Sequence, residues 1–180
     1  MPINILSTVA TSVMTLVEEI ILDADAESVT FSNLDLATDN CYILKATYRT
    51  LNNCANVSLI ANANTTVTNY YHVEEVLDGV GASSTVYSEN NNILNSIDES
   101  LIDVYCEASF MLDVSTRMRG FSNVTYLNTD GTSQNMNIGS FLYNVAENVT
   151  SIKIEGDATT GSGMSFKQGS KFQLFRVRSI

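Results

Sequence analysis

Residues 117–143 read RMRGFSNVTYLNTDGTSQNMNIGSFLY, and this stretch decides the fold class. Side chains alternate between two faces in Arg117–Leu127 and again in Gln134–Tyr143. The two runs flank Asn128-Thr-Asp-Gly131, and Asp-Gly between alternating runs is a strong signal for a β-hairpin. The stretch therefore predicts two neighbouring antiparallel strands.

Similar alternating runs, bounded by turn residues, recur along the rest of the chain. The predicted strands are Leu16–Leu22, Ser28–Leu34, Cys41–Thr50, Ala55–Ala61, Asn69–Leu77, Leu101–Val114, Val149–Glu155 and Ser170–Val177, with weak elements at Thr85–Tyr87 and Ile93–Ile97. Eight to ten strands with little helix predict an all-β antiparallel sandwich, with a jelly-roll topology favoured over an immunoglobulin topology. The predicted core comprises Phe31, Ile43, Tyr48, Leu59, Val104, Phe110, Ile152, Ile154 and Phe172.

The composition agrees with this fold class. The chain has 180 residues, which suits one domain with its own core. Charged residues make up 16%, below the usual ~25%, and the polarity comes from 19 Asn, 18 Thr and 20 Ser. We expect a single sandwich domain over residues 15–180, with residues 1–14 as a short N-terminal arm or a first strand.

Charge limits the kinds of partner. The net charge is −11, and an acidic body argues against nucleic-acid binding, which needs a basic surface. The last predicted strand nevertheless carries Arg176 and Arg178 in a locally basic segment. These arginines are candidates for a contact with an acidic neighbouring subunit. The alternative is a solvated strand edge that its charges protect from aggregation.

Targeting signals are not evident in the sequence. No apolar run approaches ~18 residues, so we expect no membrane insertion. Pro2–Val17 has no basic region at its start and many Ser and Thr residues, so we expect no secretion signal. Cys41, Cys54 and Cys106 have no metal-type spacing, and an odd number of cysteines argues against a disulfide framework.

Catalytic and metal-binding motifs are equally weak. The sequence has no nucleophile elbow, phosphate loop or zinc motif, and it contains one histidine, His72. Asp23, Asp25 and Glu27 form a series that would either hold Ca²⁺ in a loop or make an acidic solvated turn. It lacks the glycine and the downstream acid of an EF-hand. We expect no enzyme activity, no metal and no cofactor.

The run Tyr70-Tyr71-His72 lies on a predicted strand and supplies candidate glycan contacts. Tyrosine rings stack on apolar surfaces and also offer a hydroxyl group, which suits a sugar or a protein interface. The alternative is that these side chains pack on the strand face, with His72 half-exposed. The sequence does not separate the two interpretations.

Two segments near the ends of the chain resemble small β-sandwich virion proteins of tailed bacteriophages. The first is Leu16–Asp35, LVEEIILDADAESVTFSNLD, and the second is Val149–Val177, VTSIKIEGDATTGSGMSFKQGSKFQLFRV. The second keeps the family's phrase, in which two residues separate a phenylalanine, here Phe166, from a Gly-Ser pair. The closing strand departs from the family pattern by ending in Phe-Arg-Val-Arg, and residues 1–13 extend beyond the usual start.

The resemblance implies a virion structural protein without enzyme activity, most simply a capsid-surface decoration or head-fibre protein that assembles as a homotrimer. Its partners would be the major capsid protein or tail proteins. The N-terminal arm would dock on a neighbouring subunit through Ile3, Ile5, Leu6 and Val9. The alternative within the same family is a tail-tip adhesin that recognises host surface glycan. A third alternative, a glycan hydrolase on a β scaffold, lacks an assignable pair of acids.

Overall fold

The structure, a computed structural model, describes residues 12–51, 54–78, 81–88, 96–99, 102–127, 134–158 and 166–179. Within these residues the chain forms strands β1 Ser12–Ile21, β2 Ser28–Phe31, β3 Cys41–Arg49, β4 Cys54–Ala61, β5 Tyr70–Asp78, β6 Gly81–Ser88, β7 Ser96–Glu99, β8 Asp103–Leu112, β9 Met118–Leu127, β10 Gln134–Tyr143, β11 Ile152–Ala158 and β12 Lys171–Ser179. The helical elements described are the single turn α1, Leu36–Asp39, and a 3-10 turn, Val67–Asn69. None of the helices described is long and apolar enough to span a membrane.

The strands form two sheets. The large sheet has eight strands in the order β1-β12-β3-β8-β9-β10-β5-β6, and the small sheet has four in the order β2-β11-β4-β7. Every strand pair in the described part of the chain is antiparallel. The predicted antiparallel β-sandwich is therefore confirmed.

The strand pairs are nested in the manner of a jelly roll. Strand β2 pairs with β11, β3 with β8, β4 with β7, and β5 with β6, so that an antiparallel ribbon folds over on itself. The hairpin β9–β10 widens the large sheet between β8 and β5, and its strands are the predicted antiparallel neighbours, with Gln134 opposite Leu127. The weak element Thr85–Tyr87 lies within β6, and the last two residues of Ile93–Ile97 lie in β7. The described part of the chain therefore has twelve strands, against the expected eight to ten.

The core lies between the two sheets and is held by aromatic side chains. Tyr48, Phe166 and Phe172 form one cluster with ring centroids 5.2 to 5.9 Å apart. Eight of the nine predicted core residues are buried. Ile43 is the exception, because alternation along β3 turns Tyr42 and Leu44 inward and leaves Ile43 half-buried on the outer face.

The two ends of the chain are paired with each other. Strand β1 lies beside β12 and β2 beside β11, so the two segments that carry the family resemblance are adjacent in space. Phe166 joins them through isolated bridges to Ala26 and Thr50. The turn that follows uses Gly169 at φ 88°, a backbone conformation that glycine adopts without strain.

We predict that Phe166→Ala lowers the free energy of unfolding by about 3–5 kcal/mol, because it leaves a cavity inside the aromatic cluster. Phe121→Ala is the matched control, since Phe121 is 64% exposed and its removal should change stability by no more than about 0.5 kcal/mol. Urea denaturation of both variants measures the difference. Equal losses in the two variants would show that the cluster does not hold the sandwich closed.

Candidate functional site

The outer face of the large sheet, which points away from the small sheet, carries two adjacent rows of mostly apolar side chains. Strand register places Leu16, Phe175, Ile43, Ser109, Phe121, Ser140 and Val73 side by side from β1 to β5. The next row contains Met14, Val177, Cys41, Met111, Arg119, Leu142 and Tyr71. We call these two rows the apolar band, and Arg119 is its one charged member.

A polar row borders the apolar band. It runs through Glu19, Gln173, Lys45, Glu107, Asn123, Ile138 and Glu75. Lys45 Nζ lies 3.3 Å from Glu107 Oε2, and Glu19 Oε2 lies 2.8 Å from Lys171 Nζ and accepts from Gln173 Nε2 at 2.6 Å. An apolar centre with a polar border is the usual anatomy of a protein interface, and large exposed apolar patches mark binding surfaces.

The apolar band deepens into a groove over β5, β8, β9 and β10. The groove has a volume of about 530 Å³, within the usual range of ligand sites. Its apolar lining includes Tyr71, Val73, Met111, Phe121 and Leu142. Its shape and lining suit an apolar occupant.

The groove is charged at one end, where Arg119 and Asp113 form an ion pair within the chain. Arg119 Nε lies 2.6 Å from Asp113 Oδ2, and the other carboxylate oxygen accepts from the backbone N–H groups of Ser115 and Arg117. These donors, Arg119 first, lower the pKa of Asp113 below its ordinary value. The only cation of the apolar band is therefore already neutralised within the chain.

Two glycines beneath the groove allow large side chains to lie directly on the strands. A Cβ atom at Gly120 would sit 2.2 Å from Cζ of Phe141, so the phenylalanine ring occupies the space above Gly120 on the inner face. A Cβ atom at Gly139 would sit 2.7 Å from Nε2 of His72 and 2.9 Å from Oγ of Ser122. Glycine inside a strand often marks such a close approach.

His72 and Glu74 lie on the inner face, behind the groove. His72 is 2% exposed, and burial lowers its pKa to about 4, so the imidazole is neutral near pH 7. Burial raises the pKa of Glu74, while a hydrogen bond with Asn137 acts in the opposite direction. An enclosed neutral imidazole does not exchange protons with a substrate in solution, so His72 is not positioned as a general base.

The structure separates the three candidate glycan contacts. Tyr70 is buried, and its hydroxyl group donates to Asn64 O at 2.7 Å and accepts from Ala61 N at 3.0 Å. The side chain of His72 is also enclosed, which corrects the expectation of a half-exposed residue. Alternation along β5 leaves Tyr71 on the outer face, 38% exposed at the groove. A glycan contact at this strand therefore rests on Tyr71.

The candidate interface arginines both face Asp39, whose carboxylate is buried. Arg178 Nε donates to Asp39 Oδ1 at 2.8 Å, and Arg176 Nη1 lies 3.7 Å from the same oxygen. The hydroxyl group of Tyr42 donates to the other carboxylate oxygen. These contacts tie the last strand to α1 within the chain, and an intersubunit role for the arginines stays a prediction. Ile3, Ile5, Leu6 and Val9 lie outside the described residues.

The acidic turn is used for internal hydrogen bonds. Asp25 Oδ1 accepts from the backbone N–H of Gln168 at 2.8 Å. The side-chain amide of Gln168 donates to the carbonyl oxygen of Asp23 at 2.7 Å. No group of three His, Cys, Asp or Glu side chains that could hold a metal occurs among the described residues. Burial raises the pKa of the Cys41 and Cys106 thiols, that of Cys106 to about 12, which disfavours the nucleophilic thiolate.

Sequence reasoning missed the apolar band, although a signal for it is present. Phe110-Met-Leu112 and Phe141-Leu-Tyr143 are apolar at three consecutive positions, and such runs place apolar side chains on both faces of a strand. One face fills the core, and the other supplies Met111 and Leu142 to the apolar band.

Comparison with known proteins adds little to this geometry. No family model and no curated protein matches the chain. Among solved structures, the chain is similar to the marine PL-14 alginate lyase from Aplysia kurodai at 8% sequence identity and a TM-score of 0.31, over 94% of this chain and 83% of that chain. A TM-score this low carries no inference about activity.

We predict that His72 makes the protein less stable as the pH falls. Its folded-state pKa of about 4 lies below the unfolded value of about 6.5, so between these values the unfolded chain binds a proton that the folded chain excludes. The loss approaches about 3 kcal/mol across that window. Glu74 acts in the opposite sense, because its raised pKa favours proton uptake by the folded state.

His72→Gln isolates this effect, because it removes the imidazole and keeps Glu74. Urea denaturation at about pH 7.5 and about pH 4.5 should show a smaller drop in unfolding free energy for the variant than for the parent chain. Parallel pH dependence in the two proteins would mean that His72 titrates normally in the folded state.

Proposed function

We propose that this chain is a non-enzymatic structural protein of a bacteriophage particle, a capsid-surface decoration or head-fibre protein that docks on neighbouring subunits. The observation that carries the proposal is the exposure of β1. This strand lies at the edge of the large sheet, and its exposed apolar side chains are Val13 (45%), Met14 (51%), Leu16 (47%), Val17 (42%) and Ile21 (58%).

The register of β1 against β12 shows that exposed apolar side chains lie on both faces of β1. Met14 and Leu16 stand opposite Val177 and Phe175 on the outer face, whereas Val13 stands opposite Arg178 on the other face. A register shift between Leu16 and Glu18 accommodates Val17 as an irregularity in the strand. A strand with uncovered apolar side chains on both faces is suited to burial against another subunit.

The free edge of β1 points to the same kind of function. An edge strand presents unpaired N–H and C=O groups to any strand that approaches it, and proteins normally protect such edges. On one side β1 pairs with β12 along its length except at Val17, and its opposite side has no strand partner among the described residues. Assembly around a symmetry axis, as in the homotrimer that the family resemblance implies, covers an open edge of this kind.

The family resemblance supplies the context of a virus particle. The two segments that carry it, Leu16–Asp35 and Val149–Val177, include most of the paired strands β1 and β12 and all of the paired strands β2 and β11. The resemblance therefore covers one continuous region of the folded chain, and this region contains the proposed docking strand. The other virion proteins that would receive it are the major capsid protein or tail proteins.

The chemistry of the described residues supports a binding role over catalysis. His72 is enclosed and neutral, and the thiol of Cys106 is completely buried. The Asp113 carboxylate is engaged by Arg119, and the Asp39 carboxylate is engaged by Arg178. Catalysis requires a positioned acid, base or nucleophile that reaches a substrate.

We predict that the double variant Leu16→Asp, Val17→Asp abolishes incorporation into phage particles, because it places two charges in the docking surface. Leu127→Asp is the control. Leu127 is also an exposed apolar side chain of the large sheet (55%), but it lies on β9, four strands away from β1. Gold-labelled antibody on intact particles, imaged by electron microscopy, measures both the location and the loss.

We expect label over the head for the parent chain and for Leu127→Asp. We expect no label for the double variant. Normal incorporation of the double variant would exclude β1 as the docking strand. Absence of the parent chain from every particle would overturn the virion function itself.

A second candidate function, a tail-tip adhesin for host surface glycan, is favoured by one observation. Tyr71 is an exposed aromatic side chain at a groove of suitable size, and Phe121 offers a second ring on the same face. Aromatic rings of this kind anchor many binding surfaces. In that case the gold-labelled antibody would mark the tail tip of intact particles.

If the adhesin function holds, Tyr71→Ala should weaken binding of the isolated protein to host cells roughly tenfold. Tyr105→Ala is the matched control, because Tyr105 is 45% exposed on the same outer face and does not line the groove. A cell-binding isotherm for each variant gives the comparison. Equal affinities for parent and Tyr71→Ala would remove Tyr71 as a glycan contact.

A further inference from the structure

We propose that the outer face of the large sheet binds the same face of a second copy of this chain, so that two sandwiches pack face to face across a two-fold axis. This contact is separate from the open edge of β1. It rests on the exposed side chains of the sheet, their register and their charges, and it holds whether or not the chain is a virion protein.

Exposed apolar side chains of the described residues are concentrated on this face. Beyond the apolar band and the polar row, strand register adds a fourth row: Ile21, Lys171, Thr47, Tyr105, Thr125, Met136 and Leu77. Large apolar side chains that are exposed on this face are Met14, Leu16, Ile21, Tyr71, Val73, Tyr105, Met111, Phe121, Leu127 and Ile138. Such a concentration on one face marks an interaction surface.

The four rows cover nearly the area that a specific dimer needs. They cross the seven strands from β1 to β5, which at about 4.8 Å for each step is about 29 Å. Along the strands they extend over six residue steps, which is about 20 Å. The flat footprint is therefore about 580 Å² for each copy, and the relief of the side chains adds to it. Specific protein interfaces begin at about 600 Å² for each partner.

The centre of this face has a shape that fits a copy of itself. Phe121 is 64% exposed and stands between two small side chains in its row, Ser109 on β8 and Ser140 on β10. The groove of about 530 Å³ lies directly beside its ring. In a two-fold contact, residue i of one copy meets residue j of the other, and j meets i. One rotation therefore places each Phe121 ring at the groove of the other copy.

The charges on this face do not prevent its burial. Glu75 is exposed on β5, at the end of the polar row, and stays in solvent at the rim. The other charges of the four rows are paired within the chain: Lys45 with Glu107 at 3.3 Å, Lys171 with Glu19 at 2.8 Å and Arg119 with Asp113 at 2.6 Å. A second copy can therefore cover the centre without leaving a buried charge unpaired.

Salt dependence distinguishes a second copy from a basic partner. Each copy carries a net charge of −11, so two copies associate against a repulsion that salt screens. Self-association through this face is therefore stronger at high salt. Binding of a basic protein to the same face would be weaker at high salt, because salt would screen an attraction.

Sedimentation velocity of the full chain over a range of concentrations tests the proposal. We expect a monomer–dimer equilibrium with a dissociation constant on the order of 10 µM, since the interface is at the small end of the specific class. Phe121→Asp should raise this constant at least about thirtyfold, because it places two carboxylates in the apolar centre. Val67→Asp is the control and should dimerise like the parent, because Val67 is 47% exposed in the 3-10 turn outside this face.

A mixing experiment tests the two-fold geometry. Phe121→Asp and Phe121→Lys should each be monomeric, and their equimolar mixture should form dimers, because opposite charges then face each other across the axis. Circular dichroism checks that both variants are folded. Phe121→Ala adds no charge and should weaken the dimer about tenfold. Well below the dissociation constant the chain is a monomer, so the stability expected for Phe121→Ala is unchanged there.

Three results would overturn the proposal. A parent chain that stays monomeric at every concentration and salt would show that this face does not bind a second copy. Dimerisation that is unchanged in Phe121→Asp would place the contact on another surface. A mixture that stays monomeric would exclude a two-fold contact at Phe121. Incorporation into particles is measured separately, so failure of this inference is distinguishable from failure of the proposed function.

Discussion

The pairing of the two ends of the chain is the constraint on which the rest of the structure depends. Strand β12 fills the gap between β1 and β3, and β11 fills the gap between β2 and β4. Without these two C-terminal strands, β1 would be separated from the rest of the large sheet and β2 from the rest of the small sheet. Phe166 then joins the inserted segment to Ala26 and Thr50 and completes the aromatic cluster with Tyr48. These contacts join residues more than a hundred positions apart, so the entropy of closing a long loop must be overcome before the core forms.

The two sheets are unequal in width, and this inequality explains the exposure of β1. Four strands span only about half the width of eight at a common spacing of about 4.8 Å. Strand β1 lies at the edge of the wider sheet, which accounts for the exposure of Val13 and Val17 as well as that of Leu16. The outer face of the same sheet has no covering layer among the described residues, and there the apolar band is exposed. The exposure of β1 follows from this mismatch in width, whereas the apolar band is exposed because two sheets packed face to face cover only each other's inner faces.

Much of the fold was predictable because strand alternation is a local property. The strand Gln134–Tyr143 was predicted with both ends correct. Strand β3 ends one residue before its predicted end, and β8 is two residues shorter than predicted at each end. The candidate site was less predictable. Alternation shows that Tyr70 and Tyr71 point to opposite faces, but it does not show which face is covered. The inward face of β5 proved to carry His72 and Glu74, although the sequence analysis expected His72 to be half-exposed.

The amino-acid sequence by itself determined the fold class, the hairpin β9–β10 and most of the core, because the period of the side chains and the turn residues act over a few positions. Only the tertiary structure decided which neighbours each strand has, and hence which side chains stand in a row. The apolar band is an example, since Leu16, Phe121 and Val73 are far apart in the chain and meet only through six successive strand pairings. Such a surface is a property of register across the whole sheet, which no local pattern specifies.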